Sequence, residues 1–155
     1  MADTAALMGP GKRGDWETPP ELFRLLHDRY RFDLDVAASA ENTLCARYIG
    51  AETNALTVPW LTTHRWWCNP PYGHGALAWV DHALEQRRLG CYGVMLLPSR
   101  TDTRWYHRML AEGIVLLHLA GRLTFNLGGE PVRDAKGRIM PAPFPSLLAD
   151  FGPWL

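Results

Sequence analysis

The stretch RWWCNPPYG, residues 65–73, decides the fold of this 155-residue chain. Its first four residues predict an aromatic strand, and the two adjacent prolines end that strand in a stiff turn. Apolar spacing then predicts a helix over residues 76–88, and a continuous apolar run predicts a strand over residues 93–97 that is covered on both faces. A strand, a helix and a second strand in this order are typical of a parallel sheet with crossover helices.

The same alternation extends toward the N-terminus. The sequence predicts a helix over residues 20–30, with Thr18 as its N-cap and Pro19 at the first helical position. Residues 32–38 alternate apolar and acidic residues before they turn small, which predicts a strand that delivers a loop to a binding cleft. Ser39 is expected to cap a short helical segment after that strand.

The pattern also extends toward the C-terminus. A helix is predicted over residues 103–111 and an apolar strand over residues 114–119. Residues 123–126 and 145–151 are expected to form a hairpin across a long loop rich in Gly, Pro and charge, residues 128–143. The fold prediction is therefore α/β and Rossmann-like, a mostly parallel sheet with a C-terminal hairpin.

Composition excludes several classes of protein. Sixteen basic and sixteen acidic residues give no formal net charge, so any surface for nucleic acid must be local. No apolar run approaches the roughly 20 residues that span a bilayer. The three cysteines and the histidines lack metal-ligand spacing, and we expect no metal. We expect a loose N-terminal arm over residues 1–14 and a single domain over residues 15–155.

Asn-Pro-Pro-Tyr at residues 69–72 carries the chemistry. An exocyclic amine is a poor nucleophile because its lone pair is delocalised into the ring. The side-chain oxygen of Asn69 and the carbonyl of Pro70 can accept the two amino protons and aim the lone pair at a methyl donor, while Pro71 stiffens the turn. Tyr72 would stack on a base flipped out of a duplex. The structural alternative is a rigid turn in which Asn69 caps the next helix.

The position of this tetrapeptide places the site. In open α/β sheets ligands bind outside the carboxyl ends of the strands. We therefore expect the loops that follow Asp35, Cys68, Leu97 and Leu119 to converge there.

Six segments together resemble one known family. They are residues 15–22 (DWETPPEL), 32–48 (FDLDVAAS followed by ENT and CARY), 67–73 (WCNPPYG), 96–105 (LLPSRTDTRW), 121–125 (GRLTF) and 142–146 (APFPS). In this order they are similar to the phage-type DNA N6-adenine methyltransferases, the Dam-like family. The resemblance implies the Rossmann-like methyltransferase fold, S-adenosylmethionine as cofactor and double-stranded DNA as partner, in the cytoplasm of a bacterial or phage-infected cell.

The resemblance also implies the cofactor-binding residues. They are Trp16, Thr18, Pro19, Asp33, Asp35, Ala37, Ser39 and Asn54. The segment after the first strand lacks the Gly-x-Gly loop of most S-adenosylmethionine folds, so small residues must permit the close approach. Asp33 and Asp35 remain alternatives for the acidic contact. Asn54 and Glu52 either hydrogen-bond the nucleoside or serve as turn residues.

Residues 99–104 combine hydroxyls and arginines just past a strand end, and we assign them to DNA. The predicted DNA-binding residues are Ser99, Arg100, Thr101, Arg104 and Arg122. Asp102 could pair with one of these arginines instead. The loop at residues 128–141, with Arg133, Lys136 and Arg138, would complete the recognition surface, or it is a disordered tip.

Two other functions fit the same residues. Asn-Pro-Pro-Tyr also serves methyltransferases that act on RNA bases or on protein glutamine amides. A non-catalytic DNA-binding relative would retain the shape of the fold without binding the cofactor.

Overall fold

A computed structural model describes residues 16–60, 65–73 and 75–153, in which three α-helices are interspersed among eight strands. The predicted arm at residues 1–14 lies outside the described residues. In chain order the elements are α1 (Pro20–Tyr30), β1 (Leu34–Asp35), β2 (Arg47–Tyr48), β3 (Arg65–Cys68), α2 (Ala76–Arg88), β4 (Tyr92–Pro98), α3 (Arg104–Ala111), β5 (Val115–His118), β6 (Asn126–Leu127), β7 (Glu130–Pro131) and β8 (Ser146–Asp150).

Within the described residues, six strands form the main sheet in the order β2-β1-β3-β4-β8-β5. Strands β2, β1, β3 and β4 are parallel to one another, whereas β8 runs antiparallel to both β4 and β5. The expected mostly parallel α/β architecture of the Rossmann-like type is confirmed.

Side chains from both faces of this sheet are buried. Along β3, Trp66 packs with residues of α2 and α3, whereas Trp67 packs with residues of α1. Along β4, Met95 and Leu96 divide between the two faces in the same way. This confirms the prediction of a strand covered on both faces, and it explains why β4 is a nearly continuous apolar run.

The helix bounds that depend on local signals agree with the sequence. Helices α1 and α2 have the predicted bounds, and Thr103 caps α3 by accepting the N–H of Tyr106 at 3.3 Å. The prediction for Thr18 was wrong, because α1 has Pro19 as N-cap and Pro20 as its first helical residue. The hydroxyl of Thr18 instead accepts the buried indole N–H of Trp67 at 3.2 Å. A buried N–H needs a partner, whereas a helix start with proline has one N–H fewer to satisfy.

Two elements differ from their predicted extent. The first strand is limited to Leu34–Asp35, because Ala37 turns back to donate its N–H to the Asp35 carboxylate at 3.3 Å. After it, Ser39 does not begin a helix. Residues 39–43 form a single turn, in which the Ser39 carbonyl accepts the N–H of Thr43 and Asn42 Oδ1 accepts the N–H of Ser39.

The C-terminal third contains a smaller hairpin than expected. Strands β6 and β7 pair with each other, whereas the second predicted arm forms β8 and inserts between β4 and β5. All five residues of β8 are buried, so this segment gains more apolar burial in the sheet than a solvent-exposed hairpin would give it.

Candidate active site

The ends of the strands bring the predicted site together at one edge of the sheet. Asp35 is in register with Trp67, and Trp67 with Val94, so the loops that follow β1 and β3 are neighbours. At the other end of this edge, the N–H of Ser99 reaches the Pro145 carbonyl, and the N–H of Leu119 reaches the Ser146 carbonyl. The loops after β4 and β5 are thus joined through Pro145 and Ser146, where β8 begins.

Asn69 follows β3 directly, and its side chain is held from one side. Its Nδ2 donates to the carbonyl oxygen of Trp16 at 3.1 Å. Among the described residues, no group donates to Asn69 Oδ1 or to the carbonyl oxygen of Pro70. The amide is therefore oriented by its donor side, and the two adjacent acceptors have no donor within the part of the chain that the structure describes.

Tyr72 is anchored beneath this turn. Its hydroxyl donates to the Leu96 carbonyl at 3.4 Å, and only 8% of the residue is exposed. Burial raises the pKa of the Tyr72 phenol well above its ordinary value, and the neighbouring Cys68 adds to the rise. The hydroxyl is therefore a donor and not a base. Stacking of the Tyr72 ring on a flipped base stays a prediction.

Aromatic rings surround Tyr72 on one side of the turn. The Tyr72 ring meets Phe125 and Phe144 edge-on, with centroids 5.9 Å and 5.6 Å away. Trp16 stacks on Phe144 at 6.2 Å and tilts against Phe125 at 5.3 Å. Because the Trp16 carbonyl also accepts from Asn69, Trp16 links the aromatic cluster to the Asn69 amide.

Asp35 lies at the carboxyl end of β1 and is 4% exposed. Burial raises the pKa of its carboxyl group to about 6, although N–H groups of Ala37 and Leu44 lower it in part. Burial and the nearby Asp35 also raise the pKa of the Cys68 thiol well above its ordinary value. A buried carboxylate with only backbone N–H partners suits a ligand that brings a cation or hydroxyl donors.

Asp33, the alternative acidic residue, lies at the opposite end of β1. Its carboxylate forms an ion pair with Arg47 and accepts the N–H of Arg65 at 3.1 Å. These contacts tie neighbouring strands together at their amino ends. Among the two alternatives, only Asp35 is at the edge where the other candidate residues gather.

The remaining predicted cofactor residues divide in two groups. Ala37 and Ser39 are half-buried and follow Asp35, and Thr18 and Pro19 lead into α1 beside Trp67. Asn54 is exposed, with φ at 56°, and its side chain accepts the N–H of Leu56 at 3.2 Å to cap a short 3-10 turn. The geometry of Asn54 is that of a turn residue.

The arginines predicted to bind DNA differ in their ion pairing from two arginines of α2 and α3. Arg100, Arg104 and Arg122 are exposed and have no ion pair within the described part of the chain. Asp102 pairs with none of them there. In contrast, Arg88 pairs with Glu112 and Arg108 with Asp81. Arginines on α1 also lack an ion pair there, so the predicted DNA-binding arginines are distinguished by their position after β4 and β5 and not by pairing alone.

Two other predicted DNA-binding residues have hydrogen bonds of their own. Ser99 Oγ lies 3.1 Å from His118 Nδ1, and the Thr101 carbonyl lies 2.8 Å from His107 Nε2. The loop at residues 128–141 is not a disordered tip. Asp134 collects the N–H groups of Lys136 and Arg138 and pairs with the Arg138 side chain.

Sequence reasoning missed the role of Glu17. Its carboxylate accepts the N–H groups of Gly128 and Gly129 at 3.1 Å and 2.9 Å, and its backbone pairs with Asn126 in both directions. Glu17 thereby fixes the segment whose preceding carbonyl, that of Trp16, holds Asn69. No local signal predicts a contact across 111 residues.

Two further results concern the described residues as a whole. No group of three or more His, Cys, Asp or Glu residues among them is arranged to hold a metal ion. No helix in that part of the chain has the length and apolar character needed to cross a membrane.

A mostly parallel sheet whose loops gather around Asn-Pro-Pro-Tyr at its carboxyl edge defines the class as a Rossmann-like methyltransferase fold. The chain belongs to the DNA N-6-adenine-methyltransferase (Dam) family, whose sequence model matches residues 9–142. It is similar to the DNA N-6-adenine-methyltransferase of Escherichia phage T1, with 34% identity over 115 residues. The match covers 74% of this chain and 48% of the phage protein, so the chain spans about half the length of that relative.

Proposed function

We propose that this protein transfers a methyl group from S-adenosylmethionine to the N6 amino group of adenine in double-stranded DNA, with residues 15–155 acting as one domain. The family and the phage relative support the reaction class. By the same likeness, the reaction takes place in the cytoplasm of a bacterial or phage-infected cell.

The observation that carries the proposal is the pair of acceptors at the end of β3. Asn69 Oδ1 and the Pro70 carbonyl have no donor among the described residues, and the Trp16 carbonyl fixes which way the Asn69 amide faces. An exocyclic amine carries two protons and matches two acceptors. Accepting both protons localises the nitrogen lone pair and aims it, which is catalysis by positioning and by fixed dipoles.

S-adenosylmethionine would supply the methyl carbon, to which the N6 lone pair would bond, and the electrons of the broken carbon–sulfur bond would stay on sulfur. Asn69 and Pro70 would hold the amine so that its lone pair faces that carbon. One N6 proton then leaves to water. As positive charge develops on N6, the Asn69 and Pro70 oxygens stabilise it, and the buried rings around Tyr72 keep the surroundings of the amine apolar.

The donor group is S-adenosylmethionine, which supplies a methyl carbon already activated by a sulfonium. The residues after β1 fit such a ligand. Asp35 offers a carboxylate whose pKa is raised by burial, and Ala37 and Ser39 leave room for close approach of the backbone. We propose that Asp35 contacts the cofactor, with Trp16, Thr18 and Pro19 lining the same cleft.

We propose that double-stranded DNA lies along the ends of β4 and β5. Arg100, Arg104 and Arg122 offer exposed charges without an internal partner, and Ser99 and Thr101 belong to the same surface. Unpaired arginines can neutralise phosphates, and this local surface compensates for the absence of a basic net charge.

The test is transfer of radiolabelled methyl from S-adenosylmethionine to unmethylated plasmid DNA, followed by nucleoside digestion. Wild-type protein is expected to yield N6-methyladenine, and Asn69→Ala is expected to lower the rate by about 100- to 1,000-fold, as for loss of one preorganised transition-state contact. Asn69→Asp retains the size of the side chain but loses the Nδ2 donor to Trp16, so it tests orientation separately.

Calorimetry with S-adenosylmethionine completes the experiment. Cofactor binding by both Asn69 variants would show that the lost rate is not lost folding. Label on RNA or on protein glutamine, with none on DNA, would contradict the proposal and favour the other acceptors. Failure of the wild-type protein to bind the cofactor would favour a non-catalytic DNA-binding relative.

A further inference from the structure

Three polar side chains form a continuous hydrogen-bonded row at the exposed end of the sheet edge. Ser99 follows β4, Tyr106 lies on α3, and His118 is the last residue of β5. Ser99 Oγ lies 3.1 Å from His118 Nδ1, and the Tyr106 hydroxyl lies 3.2 Å from His118 Nε2. Neither hydroxyl has another partner among the described residues.

The row has hydroxyl protons that its own hydrogen bonds do not use. A neutral imidazole has one N–H and one lone pair, so one hydroxyl donates to it and the other accepts from it. The accepting hydroxyl keeps its own proton free for an outside acceptor. When His118 is protonated, both ring nitrogens donate and both hydroxyl protons become free. The row therefore has one unused hydroxyl proton when His118 is neutral and two when it is protonated.

The third member of the row distinguishes it from a nucleophilic dyad. In a Ser–His–acid arrangement a carboxylate stabilises the imidazolium and makes the imidazole a base. Here Tyr106, a neutral hydroxyl, is in that place. The row is therefore suited to binding an acceptor and not to activating Ser99.

The neighbouring charges indicate an anionic acceptor. Arg100 follows Ser99 in the chain, and Arg104 begins α3 two residues before Tyr106. Both are exposed and have no ion pair within the described residues. Asp102 is the acidic residue between them, and it is also exposed and pairs with neither. His107, the other titratable side chain on this turn of α3, faces the Thr101 carbonyl.

We propose that Ser99, Tyr106 and His118 form a phosphodiester-binding site that holds one phosphate of the DNA backbone. A phosphodiester has only acceptor oxygens and one negative charge, and it matches hydroxyl donors beside arginines. The inference rests on the proposed function, and it adds Tyr106 and His118 to the DNA-binding surface. Because the contact is to the backbone, it positions the duplex without reading its sequence.

The test measures binding of a short fluorescent DNA duplex over a range of salt concentrations. Tyr106→Phe removes only the hydroxyl, and it is expected to weaken binding by about threefold to tenfold, the effect of one hydrogen bond. His118→Ala removes the ring that both hydroxyls contact, and it is expected to weaken binding at least as much as Tyr106→Phe does. Ser99→Ala should weaken binding to unrelated duplexes by the same factor.

Tyr48→Phe is the matched control. Tyr48 is 40% exposed on β2, the outermost strand on the side of the sheet opposite β5, and its hydroxyl should not contribute. Thermal denaturation and cofactor binding of each variant report on folding, and loss of a phosphate contact should lower the affinity for DNA while leaving both unchanged.

The outcomes separate this inference from the proposed function. Wild-type methylation of DNA with unchanged affinity and salt slope in all three variants would overturn the phosphate site and leave the function intact. A wild-type protein that neither binds nor methylates DNA would overturn both.

Discussion

At the carboxyl edge of the sheet, the ends of β1 and β3 differ from the ends of β4 and β5 in burial and in charge. At the ends of β1 and β3, which we call the closed half, Asp35 and Tyr72 are less than a tenth exposed and Asn69 is half-buried. At the ends of β4 and β5, the open half, Arg100 and His118 are exposed. The closed half is fixed by internal hydrogen bonds, whereas the arginines of the open half lack ion pairs within the described residues.

Under the proposed function, this difference explains how a protein without net charge would act on DNA. Catalysis by positioning needs polar atoms that are held in place away from water, because a dipole that must reorient stabilises the transition state less. Binding of a phosphate backbone needs charges that are not already neutralised by the protein. One sheet edge satisfies both needs by separating them along its length.

Apart from the Asn69 variants, Asp35→Asn is expected to have the largest effect on the closed half. Loss of a hydrogen bond to a charged group costs about 2 kcal/mol, so affinity for S-adenosylmethionine should fall by about 30-fold. The Asp35 pKa of about 6 further predicts that wild-type affinity decreases as the pH falls through that value, since the protonated acid binds a cation poorly. Isothermal titration across this pH range measures both effects.

Asp33→Asn is the control for that prediction, because Asp33 lies at the opposite end of β1 and should leave cofactor affinity unchanged. Stability gives an independent check. The Asp35 pKa is higher in the folded protein than its ordinary value, so its favourable contribution is complete below about pH 4 and is lost as the pH rises through about 6. A flat dependence in wild type would contradict the burial of the charge.

Glu17→Ala should have the next largest effect, and it tests how rigid the closed half must be. The variant frees the segment that carries the Trp16 carbonyl, so the maximal rate should fall by about tenfold with little change in the Michaelis constant for DNA. Glu17→Gln retains one acceptor and should recover part of the rate. Glu21→Ala, on the exposed first turn of α1, is the control. Equal rates in Glu17→Ala and wild type would show that Asn69 is oriented without this contact.

Arg104→Gln is expected to have the smallest effect, and it probes the open half. Its loss should weaken binding to any DNA duplex by about threefold to fivefold and lower the salt slope by about 0.9. Arg108→Gln, four residues further along α3, should change neither, because Arg108 already pairs with Asp81. Fluorescence titration of both variants measures the contrast. Equal effects would mean that the internal ion pair does not distinguish the two arginines.

The sequence predicted those features that depend on neighbouring residues. The bounds of α1 and α2 follow from apolar spacing and from the prolines and glycine that flank them, and β3 follows from its aromatic run before Asn69. Each of these signals acts within a few residues. The register of the strands then brings the loops after β1 and β3 to one edge, as a parallel sheet requires.

Contacts between distant residues were not predictable in the same way. The insertion of β8 between β4 and β5 depends on which segment buries the most apolar surface, and an apolar run such as residues 145–151 fits a hairpin or a sheet equally well. Thr18 was expected to cap a helix, but its hydroxyl instead accepts a hydrogen bond from the buried indole of Trp67, 49 residues away.

The Asn-Pro-Pro-Tyr turn at a strand end and the hydroxyl–arginine segment after β4 can be read from the order of residues, because the chemical identity of a group and its immediate neighbours are local. Only the tertiary structure shows that Asp35, and not Asp33, lies at the carboxyl edge. The hydrogen bond from Asn69 to Trp16 and the contact between Ser99 and His118 also depend on the tertiary structure. These results depend on which distant groups pack together, since a buried polar group takes the partner that packing brings to it.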